Sequence, residues 1–347
     1  MPVKIGNLIG LPGRSVSGEW EIIPDTSDGG FSLPLSIATG TKGDIRILIA
    51  SGPEYFSPLA EKALLAIRNM VDPALIQGTL ITIDSFASKW QKLPDSNKPA
   101  FPGWHKGDLT ERVANEILFE LLKQVDYALF LEGPKPGMSQ LPHAAIYSSD
   151  DPPMTSCHPE ILKMMGHDLI IQKEGGRGSL VIEAQRELAL PVLVAQLDDI
   201  EESENTIKWL QEKVLNFLAY VDLLVFKPSI PDRTYVATRE FEIRASRDGK
   251  MTLDRVLGDF VSADDKIGTI SGENEKDNNE ILSEKNGYLV MHRNPGPVII
   301  DDCLFSFLGV EFVQGSPGKI FCNTTLDNSD MDVNLRPNRL FEGLADD

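Results

Sequence analysis

The hydrophobic pattern changes period around residue 52. Before it, Ile47-Leu48-Ile49 is a continuous β-branched run, the signature of a buried strand, and it ends in a Gly52-Pro53 turn. After it, Leu59, Ala63, Ala66, Ile67 and Met70 recur at helical spacing. A strand that empties through a turn into a helix is the building unit of an open α/β sheet, which binds ligands beyond the carboxyl ends of its strands. The pattern repeats along the chain. Further strands are predicted at Gly78–Asp84, Tyr127–Leu131, Asp168–Gln172 and Pro191–Gln196. Helices are predicted at about 110–124, 159–166, 180–188 and 206–220. A β-rich entry occupies 1–45, with Trp20–Ile23 and Phe31–Ile37 as strands, and a long Pro/Gly/Lys-rich loop spans 85–108. Ordered loops of that length are commonly binding loops. From about residue 233 the period shortens to strands separated by turns such as Arg247-Asp248-Gly249-Lys250 and Lys285-Asn286-Gly287. The expected organisation is an α/β domain over 1–232, a small β domain over 233–313 and an irregular tail over 314–347.

Composition narrows the partners. A chain of 347 residues can bury a substantial core. Its formal net charge of −19 argues against nucleic-acid or anionic-membrane partners, which need an electropositive surface. Cys157, Cys303 and Cys322 have neither metal spacing nor the density of a disulfide scaffold. No run approaches the roughly 20 apolar residues of a membrane span, and the first residues, MPVKIGNLIG, do not read as a targeting peptide. The expected location is cytoplasmic.

Chemistry is sparse. The turn after Ile49 offers Ser51, Glu54, Tyr55 and Ser57 but no His, Cys or Lys. No histidine pair has zinc-ligand spacing, and Cys157-His158 would need a third ligand such as His143. Ser51, Ser57 and Ser179 lack a nucleophile-elbow context. Arg177, in the turn Gly175-Gly176-Arg177-Gly178, is a candidate for holding a carboxylate or phosphate; a turn that simply needs glycine is the plainer reading. Glu132 and Gln196 both stand where strands end, so they can share one crevice, with Glu132 a candidate base.

Several segments together resemble the succinylglutamate desuccinylase/aspartoacylase family, a branch related to zinc carboxypeptidases. They are Ser57-Pro58, Asp72-Pro73-Ala74-Leu75-Ile76-Gln77-Gly78-Thr79-Leu80, Ala100-Phe101-Pro102-Gly103, Gly107–Ala114, Asp126–Gly133 and Leu190–Gln196, followed by Leu257–Val261, Ile267–Ile270 and Asn286–Val290 in the β domain. The resemblance implies a three-layer, open mixed sheet with helices on both faces, plus a small C-terminal β-barrel-like domain. It also implies one zinc held by the His and Glu of an HGxE motif and by a later His, with a catalytic Glu. Here those positions fall on Gly52, Tyr55, Glu132 and Gln196, and the family's substrate-binding Asn-Arg pair falls on Lys98-Pro99. Gly52 has no donor, Tyr55 is ordinarily a neutral phenol, and Gln196 cannot act as a base at neutral pH. The reading is therefore a degenerate homologue without cofactor that binds a small metabolite, a peptide or a protein partner in its cleft. The pocket candidates are Glu54, Lys98, His105, Glu132, Arg177 and Gln196. The rival is a zinc-dependent amide hydrolase of N-acyl amino acids or peptides whose ligands are His105 with Glu54 or Glu132. A third reading is an assembly module whose small β domain contacts a partner.

Overall fold

The computed structural model describes residues 2–25, 29–52, 54–96, 98–150, 153–157, 159–198, 204–229, 234–237, 240–272, 278–311 and 319–320. His158 and all of the 314–347 tail except Lys319–Ile320 therefore lie outside the described residues. The chain forms two compact units, Met1–Gly133 with His143–Thr234, and Pro134–Pro142 with Tyr235–Asp347. A boundary drawn only near 232 misses the excursion 134–142.

The first unit opens with a hairpin, β1 (Val3–Ile5) and β2 (Leu8–Gly10), and continues with β3 (Arg14–Ile23), β4 (Phe31–Thr39) and β5 (Lys42–Ser51). Helix α1 (Pro58–Met70) follows. Its N-cap Ser57 accepts a hydrogen bond from the Ala60 N–H (3.3 Å), and Pro58 sits in the first turn, where no N–H is needed. Then come β6 (Gln77–Ile83), α2 (Phe86–Trp90), α3 (Leu109–Glu116) and β7 (Tyr127–Glu132). After the excursion containing β8 (Met138–Gln140) the chain adds β9 (His143–Asp150), β10 (Pro153–Thr155), α4 (Pro159–Met164), β11 (Leu169–Glu174), α5 (Leu180–Leu188), β12 (Val192–Gln196) and α6 (Glu204–Tyr220).

Within this unit the strands run in the order β11-β9-β12-β7-β5-β6-β4-β3, with β10 beside β9. Strands β12, β7, β5 and β6 are mutually parallel, whereas β9 meets β12, and β4 meets β6, antiparallel. The sheet is therefore mixed. Its parallel centre is buried on both faces, as Leu48, Ala50, Ala128, Phe130, Val192 and Val194 on one side alternate with Ile47, Ile49, Leu129 and Leu193 on the other. Helices α2, α3 and α5 cover the first side, contributing Phe86, Trp90, Val113, Ala114, Leu180, Val181 and Ala184 to its core. Helices α1, α4 and α6 pack together over the other side.

Two local readings change. The 85–108 loop contains the short helix α2, and the single helix expected over 110–124 is α-helical only to Glu116. A π turn at Ile117–Leu121 and a 3-10 turn at Leu122–Gln124 follow. The apolar pairs Ile117/Leu118 and Leu121/Leu122 are all buried there, and the wider turn lets both pairs reach the sheet.

The second unit holds β8 and, after β13 (Tyr235–Ala237), the strands β14 (Glu240–Arg244), β15 (Gly249–Leu253), β16 (Phe260–Val261), β17 (Lys266–Ser271), β18 (Asn278–Leu282), β19 (Gly287–Arg293), β20 (Gly296–Val298), β21 (Cys303–Glu311) and β22 (Lys319–Ile320). One sheet runs β14-β21-β19-β16, with β8 against β19 and β22 against β21; the other runs β18-β17-β15-β20. Met251, Ile267, Leu289, Phe305 and Phe307 from the two sheets share one apolar core. Among the described residues, no helix is long and apolar enough to cross a membrane.

The cap of α3 is a test of local stability. Asp108 accepts from the Glu111 N–H (2.9 Å), and the Glu111 carboxylate accepts from the Asp108 N–H (3.0 Å), a reciprocal pair that satisfies two helix-end donors. Asp108→Ala should lower stability by about 1 kcal/mol in urea denaturation.

Candidate functional site

Strand register assembles the site. In the parallel ladder β12–β7, Gln196 lies opposite Glu132; in β5–β7, Ser51 lies opposite Leu131, which sets Gly52 beside Glu132. The Gly52 N–H donates to the Leu131 carbonyl (2.8 Å), and the Leu197 N–H to the Glu132 carbonyl (2.7 Å). The two-residue alternation that buries Phe130 and Val194 brings Glu132 and Gln196 out on the same face. There they meet: Gln196 Nε2 donates to Glu132 Oε2 at 2.8 Å and to the Tyr147 hydroxyl at 3.3 Å. His143, opposite Gln196 across the antiparallel β12–β9 pair, is buried beside them.

Glu132 fills the place in front of Gly52. A β-carbon added to Gly52 would overlap the Glu132 side chain, with Oε1 only 2.5 Å away. The backbone at Gly52 is not in the left-handed region, so glycine is demanded by this contact and not by its φ.

The carboxyl is nearly inaccessible, at 1% exposure. Burial pushes its pKa up to about 8, and the neighbouring charge of Glu54 adds to the rise. The hydrogen bond from Gln196, the charge of Lys173 and the Glu54 backbone N–H oppose that rise without cancelling it. Tyr55 is pushed up to about 12 by burial and by the charges of Glu54 and Glu132. Tyr147 is raised well above a phenol's ordinary value, mainly by burial. Burial thus favours the neutral form of the Glu132 carboxyl, which is hydrogen-bonded to an amide and flanked by two neutral phenols.

A cavity of about 400 Å³ opens in this unit. Glu54 and Tyr55 line it from the β5–α1 turn, Trp90, Lys98 and Phe101 from the 85–108 loop, and Arg177 to Leu180 from the β11–α5 turn. The loop is held by the Trp90 indole N–H on the Ser96 carbonyl (3.2 Å), by the Thr110 hydroxyl on the Pro94 carbonyl, and by the Phe101 N–H on the Gly178 carbonyl (3.1 Å). Gly178 is required twice over: its φ of +85° favours glycine, and a β-carbon there would run into Pro99. Lys98 pairs with Asp95 (2.8 Å), which raises its pKa.

The remaining sequence candidates have other places. His105 is exposed, its ring edge-on to Trp104 (6.3 Å between centroids), and it does not line the cavity. Ser57 and Ser179 cap α1 and α5, and Ser51 Oγ accepts from the Ala87 N–H (3.1 Å), so all three serines serve local backbone structure. Tyr147 and Lys173, both beside Glu132 electrostatically, were not singled out by the sequence. Both lie in strands facing each other in register, Lys173 opposite Tyr147, and Tyr147 belongs to a strand whose apolar residues are mostly small.

No protein-family model matches the sequence, and no curated protein matches it. Solved structures do. The ectoine utilization protein EutE (DoeB) from Ruegeria pomeroyi, in its apo form, superimposes with a TM-score of 0.73 at 17% identity, over 88% of this chain and 98% of that one. A succinylglutamate desuccinylase from Silicibacter sp. TM1040 gives 0.73 at 16%, over 88% and 96%. A succinylglutamate desuccinylase/aspartoacylase from Rhodobacter sphaeroides gives 0.72 at 15%, over 84% and 94%. The protein therefore has a carboxypeptidase-like mixed α/β fold with additional C-terminal β strands. More particularly, the fold is that of the succinylglutamate desuccinylase/aspartoacylase structures.

The zinc implied by that resemblance does not suit the residues present. Gly52 supplies no donor and the room for one is taken by Glu132, Tyr55 holds its proton, and Gln196 is an amide hydrogen-bonded to Glu132, the one carboxyl group among the four. Among the described residues, no three His, Cys, Asp or Glu side chains converge as a metal site, including around His105.

Two outcomes follow from this packing. Gly52→Ala should destabilise the protein by about 1–3 kcal/mol, and Gly52→Ala/Glu132→Ala should cost clearly less than the sum of its single variants in denaturant melts, because the overlap is gone. The pH response has a definite sign. Glu132 titrates near an ordinary carboxylate value when unfolded, about 4.3, and near 8 when folded. The folded state therefore holds an extra proton between those values, and stability from this group is lost as pH rises through about 8. Glu132→Gln should show a smaller fall in melting temperature than wild type between about pH 5.5 and 8.5.

Proposed function

We propose that this protein is a degenerate relative of the desuccinylase/aspartoacylase hydrolases that binds a small metabolite or peptide in its cleft without zinc chemistry. The observation that carries the reading is the Glu132–Gln196 hydrogen bond, together with the Glu132 side chain filling the space over Gly52, at the positions where metal ligands and a catalytic base would be needed. Hydrolysis of an amide needs an activated water and stabilisation of the developing oxyanion. Here the buried carboxyl is engaged by the Gln196 amide, which has no base to offer, and burial favours its neutral form, so the pair is poorly suited to activating water. The cavity beside them is of ligand-site size and combines apolar walls with a few charged side chains. The names of the similar structures, desuccinylase, aspartoacylase and ectoine utilization protein, point to small acylated or carboxylated compounds as the chemistry around which this architecture is built.

Elemental analysis of protein purified without chelator, run beside an assay for release of amine from N-acyl amino acids, tests the reading. The expected result is far less than one zinc per chain and no turnover above buffer. Stoichiometric zinc together with turnover lost on chelation would replace this reading with a hydrolase built from unusual ligands.

A further inference from the structure

Resting on the reading of the cleft as a binding site, we infer that its ligand is a monoanionic carboxylate with an apolar arm, the carboxylate being received by Arg177. Arg177 stands at the cavity wall with its side chain 58% exposed, yet it is not a loose surface arginine. Its Nε donates to Glu183 Oε1 at 2.9 Å, and the Glu183 side chain is only 1% exposed. The same oxygen accepts from the Gly178 N–H (3.0 Å), and Oε2 accepts from Arg186 (3.4 Å). A buried carboxylate with three donors is fixed in place, and it fixes both the turn and the guanidinium plane. Because Glu183 takes Nε, the two terminal nitrogens of Arg177 remain as a planar pair of donors whose spacing matches the oxygens of a carboxylate. Holding the fork in advance removes part of the ordering cost of binding.

The rest of the lining defines what the carboxylate is attached to. Trp90 and Phe101 stack at 5.2 Å with an 18° interplanar angle, and with Ala100, Pro99 and Leu180 they form an apolar wall. Lys98 adds positive charge at the rim but shares it with Asp95. Glu54 lines the same cavity, and its charge opposes a second negative charge on the ligand. One net negative charge and an aliphatic or aryl arm satisfy all of these groups, whereas a phosphate dianion would meet the Glu54 charge.

Titration calorimetry on the full chain with 4-phenylbutyrate, its neutral amide and phenyl phosphate decides the matter. The acid should bind about tenfold or more tightly than the amide. Arg177→Gln should remove that difference by weakening the acid alone, and Arg177→Lys should recover only part of it. The unchanged affinity for the amide shows that the variants still fold and keep the apolar wall. Equal binding of acid and amide, or full acid affinity in Arg177→Gln, would overturn the assignment. Tighter binding of phenyl phosphate would overturn the carboxylate class while the cleft remains a binding site. A blank for all three probes, and for a thermal-shift panel of neutral and cationic amino-acid derivatives, would overturn both this assignment and the binding reading beneath it.

Discussion

A single hydrogen bond, from the Gln196 amide to the Glu132 carboxyl, sits where three parallel strands end and gives the first unit its chemical character. It exists because the ladder register puts these residues side by side and because residue 52, on the other side of Glu132, has no side chain to displace the carboxyl. Burial raises the carboxyl toward its neutral form, and the Gln196 amide supplies it with a buried hydrogen bond. Around it, the phenols of Tyr55 and Tyr147 are likewise held in their neutral forms. The result is a buried polar cluster that meets the cavity through Tyr55 and Glu54, while Glu132, Gln196 and Tyr147 lie behind its lining.

Besides Glu54 and Tyr55 of the β5–α1 turn, the cavity walls come from two segments that the sequence marks by glycine and proline. The 85–108 loop is tied at Ser96, Pro94 and Phe101, and the β11–α5 turn is tied through Glu183. The Phe101 N–H bonds directly to the Gly178 carbonyl, so these two segments are one hydrogen-bonded structure. Specificity in such a site resides in its side chains and not in the fold, which many chemistries share.

Much of the scaffold is legible in the residues. Ile47-Leu48-Ile49, Tyr127–Leu131 and Pro191–Gln196 read as buried strands because their runs are continuous and apolar, and α5 can be read to its last residue from the spacing of its apolar positions and the Ser179 cap. Strand β9 is not legible. Its core residues are Ala144, Ala145 and Ile146, too small and too few to stand out, and its place is fixed by partners on both sides that are distant in sequence. Losing β9 from the reading also loses Tyr147 and the burial of His143. The same non-local packing explains Glu183: its sequence context is that of an acid in the first turn of a helix, and only the folded turn turns it into the buried brace of Arg177. His105 shows the opposite error, since a histidine in a long loop invites a ligand role that its exposed position beside Trp104 does not serve.

On this view the carboxyl ends of β5, β7 and β12 are closed by an organic contact and not by a metal. A crystal structure grown in excess zinc, with anomalous data collected at the zinc edge, tests this closure atom by atom. Gln196 should still be bonded to Glu132, with no anomalous peak within coordinating distance of Glu132. A well-occupied zinc held by Glu132 and the Glu54–Tyr55 turn, with Gln196 displaced, would contradict it.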